Sequence, residues 1–194
     1  MTTANKITIC RILLVPLFIV QVLYYTDTGN ELYRLLALLC FAIASISDAI
    51  DGYLARHYNQ HSELGRVLDP LADKLLLISG VVLLSLKNEP YLHRIPMWLT
   101  ATILSRDVLL LVGLAVIYYT CGKVAVRPVL IGKGATVLQM ACVLWALLKW
   151  PESFLLYLAL GAAVCTGVSG IWYVLEGVKQ LSASPSSSPT HKLE

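Results

Sequence analysis

Apolar residues in this chain gather into blocks of roughly 17–25, the length a helix needs to cross a hydrocarbon core about 30 Å thick. That leaves few solutions. No water reaches backbone N–H and C=O groups inside a bilayer, so each block must be a helix that bonds to itself. Apolar length and breaker residues place six blocks at about 7–25, 33–55, 67–86, 96–119, 132–149 and 153–179. The expected fold class is all-α, a polytopic membrane bundle of six transmembrane helices. Composition agrees: 57% of the 194 residues are apolar and 14% are charged. A soluble domain carries about 25% charged residues.

The first block is longer than the h-region of a signal peptide, and no A-x-A-like site follows it, so it reads as a retained helix. Residues 1–180 are expected to form one membrane domain. The end of the chain, LSASPSSSPTHKLE from Leu181 to Glu194, is too polar and too rich in Ser and Pro to bury a core. It is expected to be a disordered cytoplasmic tail. With six spans, both termini share a side with the 2–3 and 4–5 connections. That side collects Lys6, Arg11, Arg56, Arg66, Lys123, Arg127, Lys133 and Lys179. The other holds Arg34, Lys87, Arg94 and Lys149. The positive-inside rule then puts the termini in the cytoplasm. An integral protein of a bacterial inner membrane is the expected setting. The net charge of +3 calls for no nucleic-acid partner. Cys10, Cys40, Cys121, Cys142 and Cys165 show no CxxC spacing. They suggest small buried hydrophobes rather than a disulfide framework or a zinc site.

The chemistry is concentrated between Ser47 and Lys74, in SDAIDGYLARHYNQHSELGRVLDPLADK. Asp48 and Asp51 are spaced i,i+3, and Asp69 and Asp73 i,i+4, so each pair shares one helix face. The first pair lies at the polar end of span two and the second at the polar start of span three. A connection of about ten residues makes these two helices antiparallel neighbours. All four carboxylates can then converge in one cleft near the cytoplasmic surface. An aspartate at the centre of a membrane helix costs about 2.5–3.5 kcal/mol, and four like charges repel besides. Divalent cations resolve this, and an all-carboxylate set favours Mg²⁺ or Mn²⁺ over Zn²⁺. Two such ions about 3.5–4 Å apart are a known phosphoryl-transfer arrangement. Gly52, Ala55 and Gly65 fall on the same stripes and leave room for a flat group. Arg56 adds a cation for phosphate.

The pattern Asp48-x2-Asp51-Gly52-x2-Ala55-Arg56-x8-Gly65-x3-Asp69-x3-Asp73 resembles the signature of the CDP-alcohol phosphatidyltransferases, with all eight fixed positions present. The resemblance implies that Asp48, Asp51, Asp69 and Asp73 hold two divalent cations, Mg²⁺ or Mn²⁺. It implies that Asp48, Gly52, Ala55, Arg56 and Gly65, with Ser62 beside them, bind the CDP head of the donor. Asp73 would also be the general base. The reaction implied is attack of an acceptor hydroxyl on the β-phosphorus, with CMP leaving.

Within the family, NKITICRILLVPLF resembles the opening of bacterial phosphatidylglycerophosphate synthases through Asn5, Thr8, Arg11 and Pro16. LDPLADKLL and IGKGATVLQM are similar to the same group. CDP-diacylglycerol and glycerol 3-phosphate are the substrates this implies. Ser105-Arg106-Asp107 after Pro96–Thr100 is more similar to eukaryotic-type cardiolipin synthases, which imply phosphatidylglycerol as acceptor. Both acceptors carry a phosphate. Arg106, Lys133 and Arg127 are the candidate cations for it, and an Arg106–Asp107 packing pair is the other reading of this dipeptide.

His57 and His61 are expected to be solvated. Tyr24, Tyr25, Tyr53, Tyr118, Tyr119, Trp98 and Trp150 lie near span ends and read as interfacial aromatics. Gly161, Gly167 and Gly170 permit close approach of another helix, from this chain or from a second copy in a homodimer. The reading from another class is a membrane transporter, since intramembrane carboxylates also mark ion paths. Clustering of the acids at one membrane face, with no inverted repeat, argues against it.

Overall fold

The computed structural model describes the backbone of residues 3–58, 63–86, 91–121 and 130–182. Within these stretches it describes the side chains except those at 3–8, 48–58, 63–70, 114, 118, 120–121, 130 and 180–182. Among the described residues six helices follow one another: α1 Thr3–Thr28, α2 Glu31–Tyr58, α3 Glu63–Ser85, α4 Met97–Cys121, α5 Leu130–Leu147 and α6 Glu152–Ser182. The expected all-α class and element order are met. α2 and α3 reach further toward one another than the apolar blocks suggest, α2 running to Tyr58 and α3 starting at Glu63. Both helices continue through their polar ends, because helical hydrogen bonding needs no apolar face to propagate.

Among the described residues three helical segments are long and apolar enough to cross a membrane: Ile9–Thr28, Met97–Ile117 and Glu152–Lys179. Ile131–Leu147 is a shorter apolar helix. The outward surface is apolar along these helices, with Leu13, Leu111, Val137, Tyr157 and Ile171 exposed. The polar side chains Arg11, Asp107, Gln139, Thr166 and Ser169 are buried instead. That inversion fits a chain whose outer solvent is hydrocarbon.

α1 packs against α2 and α3, α5 against α6 and α3, and α4 chiefly against α6. Phe18 of α1 and Phe41 of α2 are fully buried, with ring centroids 5.6 Å apart. Gly80 lets α3 approach α5 closely: a Cβ there would lie 3.1 Å from Val143 Cγ1. Gln139 of α5 donates through Nε2 to Thr166 Oγ1 of α6 at 2.8 Å, and the Thr166 hydroxyl donates to the Ala162 carbonyl. This satisfies a buried amide between the two helices. Cys142 is buried and Cys40 and Cys165 are partly buried, while Cys10 is exposed, unlike the sequence expectation.

The end of the bundle that holds the α1–α2 and α5–α6 turns is fastened by charge. α5 closes in a Schellman motif, in which Trp150 N–H donates to the Trp145 carbonyl and Lys149 N–H to that of Ala146. Lys149 takes the left-handed conformation at φ 56°, which an L side chain adopts only at some strain. Its ammonium donates to Glu31 Oε1 at 2.7 Å and lies 5.2 Å from the Tyr25 ring centroid. Arg34 donates to Glu31 Oε2 at 2.5 Å and to the Leu147 carbonyl at 2.8 Å. Tyr25, expected at the lipid interface, is fully buried here, and its one hydroxyl proton is shared between Glu31 Oε1 at 3.1 Å and the Tyr91 carbonyl at 3.3 Å. Tyr24, Trp98, Tyr119 and Trp150 are exposed as expected.

The Lys149 ammonium, then Arg34, holds the Glu31 carboxyl down from 4.5 to about 2. A depressed carboxyl contributes stability that is present above its unfolded value and lost as pH falls through its folded value. Glu31→Gln should therefore lower the thermal unfolding midpoint in detergent at pH 7. The gap from the parent should close as pH is taken from 4.5 toward 2. A gap that is constant with pH would show that the cluster does not act through this charge.

Candidate active site

α3 presents two consecutive charged residues to two different helices. Asp73 Oδ1 accepts a hydrogen bond from Arg11 Nη1 of α1 at 2.8 Å. The Arg11 side chain is fully buried, and that of Asp73 is 28% exposed. The next residue, Lys74, donates through Nζ to Asp107 Oδ1 of α4. Adjacent residues on a helix point about 100° apart, so α3 is tied to α1 on one side and to α4 on the other. An ion pair inside a bundle is the usual way to lower the charge penalty of hydrocarbon.

Asp107 is 8% exposed. Its Oδ1 also accepts from Arg106 Nη1 at 3.0 Å. The Arg106 side chain runs between two glycines. A Cβ on Gly132 of α5 would sit 3.2 Å from Arg106 Nη2, and one on Gly170 of α6 3.4 Å from Arg106 Cγ. The guanidinium carbon lies 5.9 Å from the centre of the Tyr173 ring. Arg106 Nε and Asp107 Oδ2 are buried and have no hydrogen-bond partner among the described residues. Arg106 thus carries a buried donor that the described residues leave unsatisfied. A cavity of about 290 Å³ opens beside it between α4 and α6, bordered by Ser105, Thr166, Gly167 and Gly170.

Of the residues singled out from sequence, the structure brings Arg106 to the first turn of α5, where Lys133 follows Gly132 with an exposed side chain. Asp73 is placed at the interface of α3 with α1. Asp48, Asp51, Gly52, Ala55 and Arg56 lie on α2, and Gly65 and Asp69 on α3. Helical backbone therefore runs through both aspartate pairs, and the side chains of these residues lie outside the described ones. Ser62, His61 and Arg127 lie outside the described residues altogether.

The sequence reading assigned no site role to Arg11 and Lys74. A lone arginine several residues inside an apolar block was the available signal for Arg11, because such a residue faces the bundle interior. The Arg106–Asp107 pair read from sequence is present, and Lys74 is its third member.

A sequence model of the CDP-alcohol phosphatidyltransferases matches residues 1–168. The chain belongs to this family. It is 33% identical over 179 residues to the CDP-diacylglycerol–glycerol-3-phosphate 3-phosphatidyltransferase of Rickettsia felis, covering 92% of this chain and 93% of that one. It is 29% identical over 170 residues to the enzyme of the same name from Shigella flexneri, covering 88% and 89%. It is also similar to the CMP-forming cardiolipin synthase of Streptomyces coelicolor, 38% identical over 117 residues, which is 60% of this chain and 52% of that protein. The family match spans α1 to α5 and the first half of α6, so Arg11, Asp73, Lys74 and Arg106 are all inside it.

Breaking a buried ion pair by removing one partner costs about 3–5 kcal/mol. Partial exposure of Asp73 moves the expectation to the lower end of that range. Arg11→Met should lower detergent stability by about 3 kcal/mol and remove turnover, with Arg11→Lys falling between it and the parent. Thermal unfolding and CMP release, measured on the same preparations, check both. An unchanged unfolding midpoint in Arg11→Met would show that the pair does not hold α1 to α3.

Proposed function

We propose that this enzyme transfers the phosphatidyl group of CDP-diacylglycerol to glycerol 3-phosphate and releases CMP. The observation that carries this is near full-length similarity to transferases named for that reaction. The geometry supports it through Arg106, a buried cation with unused donor capacity beside α3. The transporter reading gives way to membership of the family.

Asp48, Asp51, Asp69 and Asp73 are proposed to hold two divalent cations. Asp73 offers a partly exposed carboxylate, and the proposed donor set is all carboxylate, which suits Mg²⁺ or Mn²⁺. When bound, such ions neutralise charge on the phosphates of the donor. Gly52, Ala55 and Gly65 line the cytidine pocket in this proposal, with Arg56 and Ser62 on the nucleotide. Asp73 takes the proton from the acceptor hydroxyl. The hydroxyl oxygen forms the new bond to the β-phosphorus as the bond to CMP breaks, and CMP carries away the electron pair. Arg11 holds the Asp73 carboxylate in place during this step. Arg106 receives the acceptor phosphate, with Lys133 and Arg127 completing the clamp; arginine suits this role because its fork matches phosphate oxygens.

The bundle is proposed to cross the membrane six times within a domain of residues 1–180. Both termini and the aspartate cleft would face the cytoplasm of a bacterium; helix α6 runs to Ser182, two residues into the stretch read from sequence as a tail, and residues 183–194 lie outside the described ones. Even the shortest helix, α5 with 18 residues, is about 27 Å long at 1.5 Å per residue, close to the thickness of the hydrocarbon core. A homodimer remains a proposal resting on the small residues of α6.

A second acceptor, phosphatidylglycerol, is favoured by similarity to a cardiolipin synthase over part of the chain. One assay separates the two. Purified protein in liposomes with CDP-diacylglycerol and Mg²⁺ or Mn²⁺ should release CMP on addition of glycerol 3-phosphate and stop with chelator. Release with phosphatidylglycerol alone would replace the first acceptor by the second. Asp48→Asn, Asp51→Asn and Asp69→Asn should each lower turnover by at least about a thousandfold, and Asp73→Asn likewise. Normal turnover in any of these would remove that residue from the site.

A further inference from the structure

We propose that Asp107 is a positioning residue that locks the acceptor cation Arg106 to α3, so that Arg106 and Asp73 keep one register. The inference rests on the acceptor reading above and extends it from the cation to what aims it.

Three observations lead there. Asp107 Oδ1 is a shared acceptor, bonded by Lys74 from α3 and by Arg106 from its own helix. Lys74 is the residue after Asp73, so the base and the anchor of the acceptor cation sit on the same turn of α3. Arg11 fixes that turn from the other side through Asp73.

The local geometry of Arg106 is also unusual. Neighbouring residues on a helix do not face one another, so the guanidinium must fold back to reach Asp107. Gly132 and Gly170 supply the room on either side, and the side chains of Arg106 and Asp107 are each only 10% exposed. Gly132 lies against the guanidinium at Nη2, Gly170 against the stem at Cγ, and Asp107 Oδ1 takes Nη1, so the carboxylate is the polar group that orients the head of the side chain. In that orientation Nε is left without a partner among the described residues. Without Asp107 the same side chain could rotate, and Lys74 would lose its link to α4. A pair that served packing alone would not need its carboxylate shared with the residue beside the base.

The positioning role and a packing role separate in steady-state kinetics, because aiming Arg106 affects the acceptor and leaves the donor site alone. Asp107→Asn should raise KM for glycerol 3-phosphate by roughly tenfold, with KM for CDP-diacylglycerol within about twofold of the parent. Lys74, with a side chain 39% exposed, is the safer position for folding. Lys74→Gln should raise the acceptor KM about threefold, and Lys74→Arg should restore it. The double variant Asp107→Asn with Lys74→Gln should match Asp107→Asn alone, as expected for residues acting through one contact. An unchanged acceptor KM in Asp107→Asn, or equal rises in both KM values, would overturn the proposal. If Asp107→Asn does not yield folded protein, equal acceptor KM values for Lys74→Gln and the parent would overturn it instead. A parent enzyme inactive with glycerol 3-phosphate would remove the acceptor reading itself, a different result from an active parent with an indifferent Asp107.

Discussion

Hydrocarbon gives a charged side chain nowhere to go except inward, and the arrangement of this bundle follows from that constraint. Arg11 cannot face lipid, so α1 must turn it toward a carboxylate, and among the described side chains Asp73 of α3 meets it. Lys74 and Asp107 repeat the solution one residue further on, between α3 and α4. α3 thereby becomes the hub to which α1 and α4 are referred. Its contacts with α5 are of another kind, a close approach at Gly80 against Val143.

The same pairs that make the bundle tolerable in a membrane also carry the proposed chemistry. In the proposed mechanism the base sits on the exposed side of a buried pair, and the acceptor cation sits in another. An ion pair buried for stability alone is often replaceable by apolar side chains. Here each pair carries a polar group that a reaction on a phosphate can use. The opposite end of the bundle is organised differently. Glu31, Arg34, Lys149 and Tyr25 join the α1–α2 and α5–α6 turns, and none of them belongs to the proposed site. One end of the molecule closes the helices, and the proposed site lies away from it.

Much of this was legible before any coordinates. Six apolar blocks fix six helices because a membrane span has a required length, and their order and bounds agree with the structure to within a few residues. The aspartate spacing marked α2 and α3 as the carriers of the proposed metal site, since i,i+3 and i,i+4 positions share a helix face whatever surrounds them. The Arg106–Asp107 dipeptide was read as a packing pair or a phosphate clamp. Local sequence does not distinguish these, because both need a buried arginine with a partner.

What the sequence by itself determined is the helical periodicity and the membrane as solvent, and it named the residues proposed to bind metal and phosphate. Those follow from local length, hydropathy and spacing. Only the tertiary structure decided which charge meets which. Arg11 finds Asp73 across 62 residues and Lys74 finds Asp107 across 33. Tyr25, at a helix end that reads as interfacial, is buried because Tyr91 and Glu31 close over it. The physical reason is the same in each case. A side chain's partner depends on how helices rotate about their axes when they pack, and that rotation is set jointly by every other helix in the bundle.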